Sequence, residues 1–255
     1  MELNYKVFGE GDPVIILHGL FGMLDNWKSF ARKLAQDFSV YIIDQRNHGH
    51  SPHLPSINYH ELSEDLHFFM DYHWIEKAHL IGHSMGGKTV MQFALDHPEK
   101  VDKLISIDIA PGKNRDRHTH IMEELLRLDL GTYNARNAMK QDLQLFIENQ
   151  DVLQFLLKNL SFSREVNSFK WKMNLPVLYE YLEDILASVE ARQPYPNDIL
   201  FVLGENSDYV NDEDKEHTKK IFPAARFEMI ENAGHWVQAD QPTVLLEIIK
   251  SYLMT

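Results

Sequence analysis

The sequence predicts an α/β fold: a mostly parallel, twisted sheet with helices on both faces and a helical insertion near the middle of the chain. Three observations carry this. Short apolar runs alternate with amphipathic helical patterns, the rhythm of a parallel sheet whose crossovers are helices. That rhythm stops after Pro111 and resumes at Ile199. Between them, residues 113–196 contain a single glycine, Gly131, out of 12 in the chain.

Each element has its own warrant. Residues 3–8 read as a first strand, and the turn-like Gly9-Glu10-Gly11-Asp12-Pro13 that follows is expected to fold it into a hairpin with the next strand. Residues 14–17, 40–44, 78–81 and 104–109 are short, almost wholly apolar runs, as strands covered on both faces require. Tyr59, Leu62, Leu66, Phe69 and Met70 recur at helical spacing and need a sheet to cover. Residues 121–130, 138–147, 152–160 and 177–189 all read as helix. Glycine is costly inside helices and is needed at tight strand–helix turns, so its scarcity marks this stretch as a helical insertion. Residues 199–203 and 227–230 restore the strands, and Val244, Leu245, Ile248, Ile249, Tyr252 and Leu253 give the last helix one apolar face. The expected organisation is a core of residues 1–112 and 197–255 and a helical cap of residues 113–196.

Composition narrows the function. The 255 residues are enough to bury roughly three quarters of the surface of the unfolded chain. Lys plus Arg number 25 against 38 Asp plus Glu, a net charge of −13. That sign repels nucleic-acid backbones and anionic membranes, so neither is an expected partner. With no cysteine, disulfides, thiolate metal sites and a cysteine nucleophile are excluded. The segment MELNYKVFGEGD has no basic-then-apolar signal pattern, and no run approaches the roughly 20 apolar residues of a membrane span, so a cytoplasmic location is expected.

The chemistry-bearing stretch is His79-Leu80-Ile81-Gly82-His83-Ser84-Met85-Gly86-Gly87-Lys88-Thr89, which joins a strand to a helix. It satisfies two patterns. Gly82-x-Ser84-x-Gly86 is a nucleophile elbow, whose glycines give room for a serine on a sharp, strained turn. Gly82 to Thr89 also fits a phosphate-binding loop, with Lys88 on phosphates and Thr89 on magnesium. The rest of the chain decides. A serine hydrolase needs a late histidine base, and Gly234-His235-Trp236 follows the last strand. It needs oxyanion donors at an early strand end, and His18-Gly19-Leu20-Phe21-Gly22 lies there. A nucleotide-binding protein explains neither. A non-catalytic ligand sensor on the same fold is the other rival, made less attractive by the intact Ser84, His235 and carboxylate set. The hydrolase reading expects Lys88→Ala to be tolerated.

Two aspartates compete to orient His235. Gly204-Glu205-Asn206-Ser207-Asp208 follows the penultimate strand but sets Asp208 one residue beyond the expected place. Asp108 ends the strand after the elbow helix. Most of the 14 histidines are read as solvated, His118 and His120 as helix-surface residues, and His18 and His83 as structural.

The strings HGLFG, DQRNHGHS, IGHSMGGK, SIDIAP, GENSDYV and AGHWV, in this order, resemble the YbfF-type esterases of the α/β-hydrolase superfamily. The resemblance implies a carboxylesterase acting on small ester or acyl-thioester substrates, with no metal or organic cofactor and a cap over the pocket. It favours Asp108 as the acid, with Asp208 as the alternative. Oxyanion donors are then the backbone N–H of Met85 and one from Leu20 or Phe21. Trp236, Phe155 and Phe162, with Trp171, are candidates to line an acyl pocket, and Lys113, Arg115 and Arg117 to form a basic rim for an acyl-CoA. The sequence does not indicate the oligomeric state.

Overall fold

A computed structural model describes residues 1–165 and 167–255. The chain runs β1 (Tyr5–Phe8), β2 (Pro13–Leu17), α1 (Lys28–Leu34), β3 (Ser39–Ile43), α2 (Tyr59–Tyr72), β4 (Ala78–His83), α3 (Met85–Asp96) and β5 (Val101–Ile107). It continues through α4 (Thr119–Arg127), α5 (Arg136–Leu143), α6 (Gln150–Leu157), β6 (Leu160–Ser163), β7 (Ser168–Trp171), α7 (Leu175–Glu180) and α8 (Leu182–Leu186). It ends with β8 (Ile199–Gly204), α9 (Asp212–Ile221), β9 (Ala225–Ile230), α10 (Val237–Asp240) and α11 (Pro242–Leu253).

Seven strands form one sheet in the order β1-β3-β2-β4-β5-β8-β9, parallel except for β1. Strand side chains alternate between its two faces. Ile15, Leu17, Leu80, Leu104 and Phe201 meet α2 and α3 through Leu66, Phe69, Met70, Val90 and Phe93. Val14, Ile16, Ile42, Ile81, Ile105 and Val202 meet α1 and α11 through Phe30, Leu34, Leu245 and Ile249. Burial on both faces is why these strands read as unbroken apolar runs rather than as alternation.

Two expectations fail. β1 does not pair with β2; it lies antiparallel to β3, with Tyr5 opposite Ile43 and Phe8 opposite Val40. Both edges of β2 are taken by β3 and β4, so β1 is left with the outer edge of β3. The Gly9–Asp12 loop therefore passes the end of β3, where the Ser39 N–H donates to the Asp12 carbonyl. The insertion is not wholly helical either. β6 and β7 form an antiparallel hairpin within it, pairing Leu160 with Trp171 and Ser163 with Ser168.

The insertion is tied to the sheet through α3. Lys88 is fully buried, and its Nζ donates to the carbonyls of Leu186 (3.2 Å) and Ala187 (2.7 Å) at the end of α8. One turn later, Gln92 accepts from the Glu190 N–H (2.8 Å) and donates to the Glu190 carbonyl (3.1 Å). The Val189 N–H closes the junction by donating to the Pro111 carbonyl. Lys88 thus binds backbone of its own chain, while the hydroxyl of buried Thr89 meets Gln45 Oε1 at 2.8 Å. Neither is turned toward a phosphate, and the nucleotide-binding alternative is set aside. Nor does tolerance of Lys88→Ala follow, because alanine strands two buried carbonyls.

Burial pushes the Lys88 ammonium down to about 7. Its folded pKa lies below the unfolded one, so unfolding takes up a proton between them and stability rises with pH across that window. Wild type should gain stability over Lys88→Met at about 1.4 kcal/mol per pH unit between roughly pH 7 and 10, measured by urea denaturation. Parallel stability profiles for the two proteins would refute this role.

Candidate active site

Ser84 stands alone between the last residue of β4 and the first of α3, at φ 53° and ψ −121°. Few residues with a side chain adopt a positive φ, and the local packing forces it here. A Cβ on Gly82 would lie 2.1 Å from the Gly86 carbonyl, and one on Gly86 would lie 2.5 Å from the Leu17 carbonyl. The sharp turn is pinned by the Ser84 N–H donating to the Ile107 carbonyl (3.0 Å) and the Gly87 N–H donating to the Ser84 carbonyl (2.8 Å). α3 therefore begins directly beside the serine, with the positive end of its dipole toward the site.

Strand register brings the other groups alongside. His83 pairs with Ile107, and Ile107 with Val202, so Ser84, Asp108 and the loop after β8 leave adjacent strand ends together. Asp108 is 1% exposed and also at positive φ, 52°. Its Oδ1 accepts from the Gly204 N–H (3.0 Å), and its Oδ2 accepts from the Ser207 hydroxyl and from His235 Nδ1–H at 2.7 Å. Because the carboxylate accepts at Nδ1, a neutral His235 presents Nε2 as its free lone pair. Asp208 lies elsewhere: it is exposed and ion-paired with Arg117 at 2.8 Å, which holds its carboxyl below the usual range. Ser207 thus occupies the position that Asp208 misses by one residue.

The two oxyanion candidates on the early strand end separate. The Phe21 N–H donates to His48 Nε2 at 3.3 Å, whereas the N–H groups of Leu20 and Met85 have no protein acceptor among the described residues. The turn is closed by the Gly22 N–H to the Gly19 carbonyl, and buried Asn159 of the insertion donates to the Phe21 carbonyl at 2.6 Å.

His18 and His83 are buried scaffolding, as their reading as structural residues expects, and so is His48, which falls among those read as solvated. Burial lowers His18 to about 4 and His48 and His83 to about 3, so all three are neutral at pH 7. His18 accepts from the Gln45 N–H, His48 donates to the Arg46 carbonyl, and His83 Nε2–H donates to the His235 carbonyl at 2.8 Å. The DQRNHGHS string serves the same end. Asp44 gathers the N–H groups of Leu24 and His50, and Arg46 grips Asp65 with two hydrogen bonds.

Ser84 and His235 line one cavity of about 490 Å³, whose walls include Leu20, Phe21, Phe155 and Trp236. The Phe155 and Trp236 rings meet at 5.4 Å. Phe162 and Trp171 do not contribute: they sit on the β6–β7 hairpin beside a separate surface groove with His53 and Pro176. Strand pairing in a stretch that lies between the expected helices leaves Phe162 46% exposed. His118 faces the main cavity rather than the helix surface, its ring edge-on to Phe21, and burial lowers it to about 4. Tyr209, which lies in the GENSDYV string but to which the sequence assigns no role, lies flat on the His235 ring at 3.5 Å.

The strain at Ser84 has a measurable consequence. Ser84→Gly relieves the positive φ and Ser84→Ala does not, so the glycine variant should be the more stable by about 1 kcal/mol. Thermal melts of the two variants check this, and an alanine variant at least as stable would show that the turn is unstrained.

Residues 12–242 match the family model described as alpha/beta hydrolase fold. Esterase YbfF of Escherichia coli is 36% identical over 94% of this chain and 92% of its own length. The sn-1-specific diacylglycerol lipase ABHD11 of Xenopus tropicalis is 35% identical over 99% of this chain and 82% of its own. Among solved structures, one described as a marine microorganism esterase superposes with a TM-score of 0.96 at 40% identity, covering 98% of this chain and 99% of that one. Among the described residues no helix is long and apolar enough to cross a membrane. With one seven-stranded sheet, a serine on the turn between β4 and α3, and similarity running the length of the chain, the protein belongs to the α/β hydrolase family.

Proposed function

We propose that the protein is a serine carboxylesterase that cleaves small acyl esters through an acyl–Ser84 intermediate. The observation that carries this is the His235 Nδ1–H to Asp108 hydrogen bond beside a strained serine in the same cavity. His235 Nε2 takes the Ser84 proton as the oxygen attacks the ester carbonyl, and Asp108 stabilises the imidazolium that forms. The negative charge on the carbonyl oxygen is met by the N–H groups of Met85 and Leu20, ahead of Phe21 because the Phe21 N–H already has an acceptor. His235 then protonates the departing alcohol. Water, deprotonated by the same imidazole, releases the acid and restores Ser84.

Residues 113–196 act as a cap that roofs the cavity, with Phe155 and Trp236 setting the room for the acyl chain. The volume suits a small ester. The relatives named esterase and diacylglycerol lipase also cleave carboxylic esters. Thioesters are open to the same chemistry, but two of the three cations suggested for an acyl-CoA rim are engaged, Lys113 with Glu183 and Arg117 with Asp208. Uncharged leaving groups fit this acidic protein better.

Ser84→Ala should lower kcat toward a short p-nitrophenyl ester by roughly 10⁴-fold or more. Asp108→Asn should cost about 10³- to 10⁴-fold, because an amide cannot stabilise the imidazolium, and Asp208→Asn less than about tenfold. Full activity in Asp108→Asn together with a collapse in Asp208→Asn would reverse the assignment of the acid.

A further inference from the structure

We infer that Tyr209 and Arg117 are positioning residues for His235, through which the insertion's entrance segment holds the imidazole in its working rotamer. This rests on His235 being the base proposed above. The Tyr209 ring is parallel to the imidazole within 8° at 3.5 Å, and the Arg117 guanidinium lies over the Tyr209 ring at 4.7 Å from its centroid. Arg117 is fixed in turn by Asp208, through the carboxylate (2.8 Å) and the backbone carbonyl (3.2 Å). Three consecutive residues of one loop therefore each take one part of the site. Ser207 donates to the Asp108 carboxylate, Asp208 anchors Arg117, and Tyr209 lies on His235.

The need for such a device follows from the hydrogen bonding. The Nδ1–H to Asp108 bond fixes one point of the ring but leaves it free to pivot. His83 touches it at 4.8 Å but tilted by 42°, and cannot by itself keep Nε2 aimed at Ser84. A parallel phenol ring removes the pivot, and a planar guanidinium suits an aromatic ring as a lysine would not. Arg117 precedes α4, so this contact ties the start of the insertion to the ring that lies on His235. The Asp208 that fails to reach His235 acquires a role, and so does an arginine otherwise read as part of a substrate rim.

The charges give the stack a signature that a purely structural role lacks. Facing His235 are the Asp108 carboxylate from the end of β5, neutral His83 from the end of β4, neutral His118 from the start of α4, and Tyr209 with Arg117 over its ring. Asp240 of α10 accepts from the Gly234 N–H, and Arg115 acts on Asp208. Removing the Arg117 cation leaves Asp208 unopposed and favours the imidazolium; removing the Asp208 charge leaves Arg117 unopposed and disfavours it.

The test measures kcat, KM, the pH profile of kcat/KM and thermal melts of the full chain with a short p-nitrophenyl ester. Tyr209→Leu should lower kcat by about 10- to 100-fold, with KM within about threefold, and Tyr209→Phe should restore most of it because the ring is kept. The acid limb should move up in Arg117→Ala and down in Asp208→Asn, each by about a few tenths of a pH unit. Wild-type kcat in Tyr209→Leu, an equal fall in Tyr209→Phe, or charge variants that leave the limb still or move it the same way would overturn the inference. Should Tyr209→Leu unfold, the two exposed charge variants decide alone. Failure of the base assignment looks different: His235→Ala would stay active.

Discussion

Ser84 is held at a positive φ because the backbone on every side of it is already in contact. A methyl group on Gly82 would strike the Gly86 backbone, and one on Gly86 would strike Leu17 and His18 at the end of β2. The turn can be this tight only where three parallel strands end together, and those ends also deliver Asp108 and the loop carrying Ser207 and Tyr209. The location of the site at the carboxyl edge of the sheet is thus a consequence of strand register, in keeping with the behaviour of open parallel sheets in general.

The insertion between β5 and β8 reaches into every part of this arrangement. Asn159 holds the carbonyl of Phe21, Arg117 covers Tyr209, and Lys88 and Gln92 fasten the segment that leads back to β8. Its own apolar cluster runs on into the core through Leu20, Phe21, Tyr59, Leu62 and Met85. Buried imidazoles do the remaining work around the cavity. Each of His18, His48 and His83 is neutral and bonded to backbone, so each fixes a loop without adding charge near His235.

The parts of this architecture that could be read from the chain are those set by local constraints. The glycines around Ser84 mark the turn because no other residue fits, and buried strands such as β2, β4 and β8 announce themselves as short apolar runs. What depends on distant neighbours was not legible. The partner of β1 is decided by which edges remain open, and the β6–β7 hairpin is hidden by a stretch whose apolar residues suit helix as well as strand. The rival acids could not be separated by spacing alone, since their difference is that Asp108 meets His235 while Asp208 meets an arginine 91 residues earlier. Asn159 carries no motif, and Tyr209, though it lies in GENSDYV, carries no sign there of its contact with His235. His118 stands at the start of a helix whose cavity-facing side only the packing reveals.

Reaction with a fluorophosphonate probe, followed by mass mapping of the labelled peptide, tests the central claim most directly, because the reagent phosphonylates only a serine made nucleophilic within a working site. A single adduct on Ser84, lost when His235 is replaced by alanine, is the predicted result. A folded protein that stays unlabelled, or one that carries the label on another residue, would contradict it.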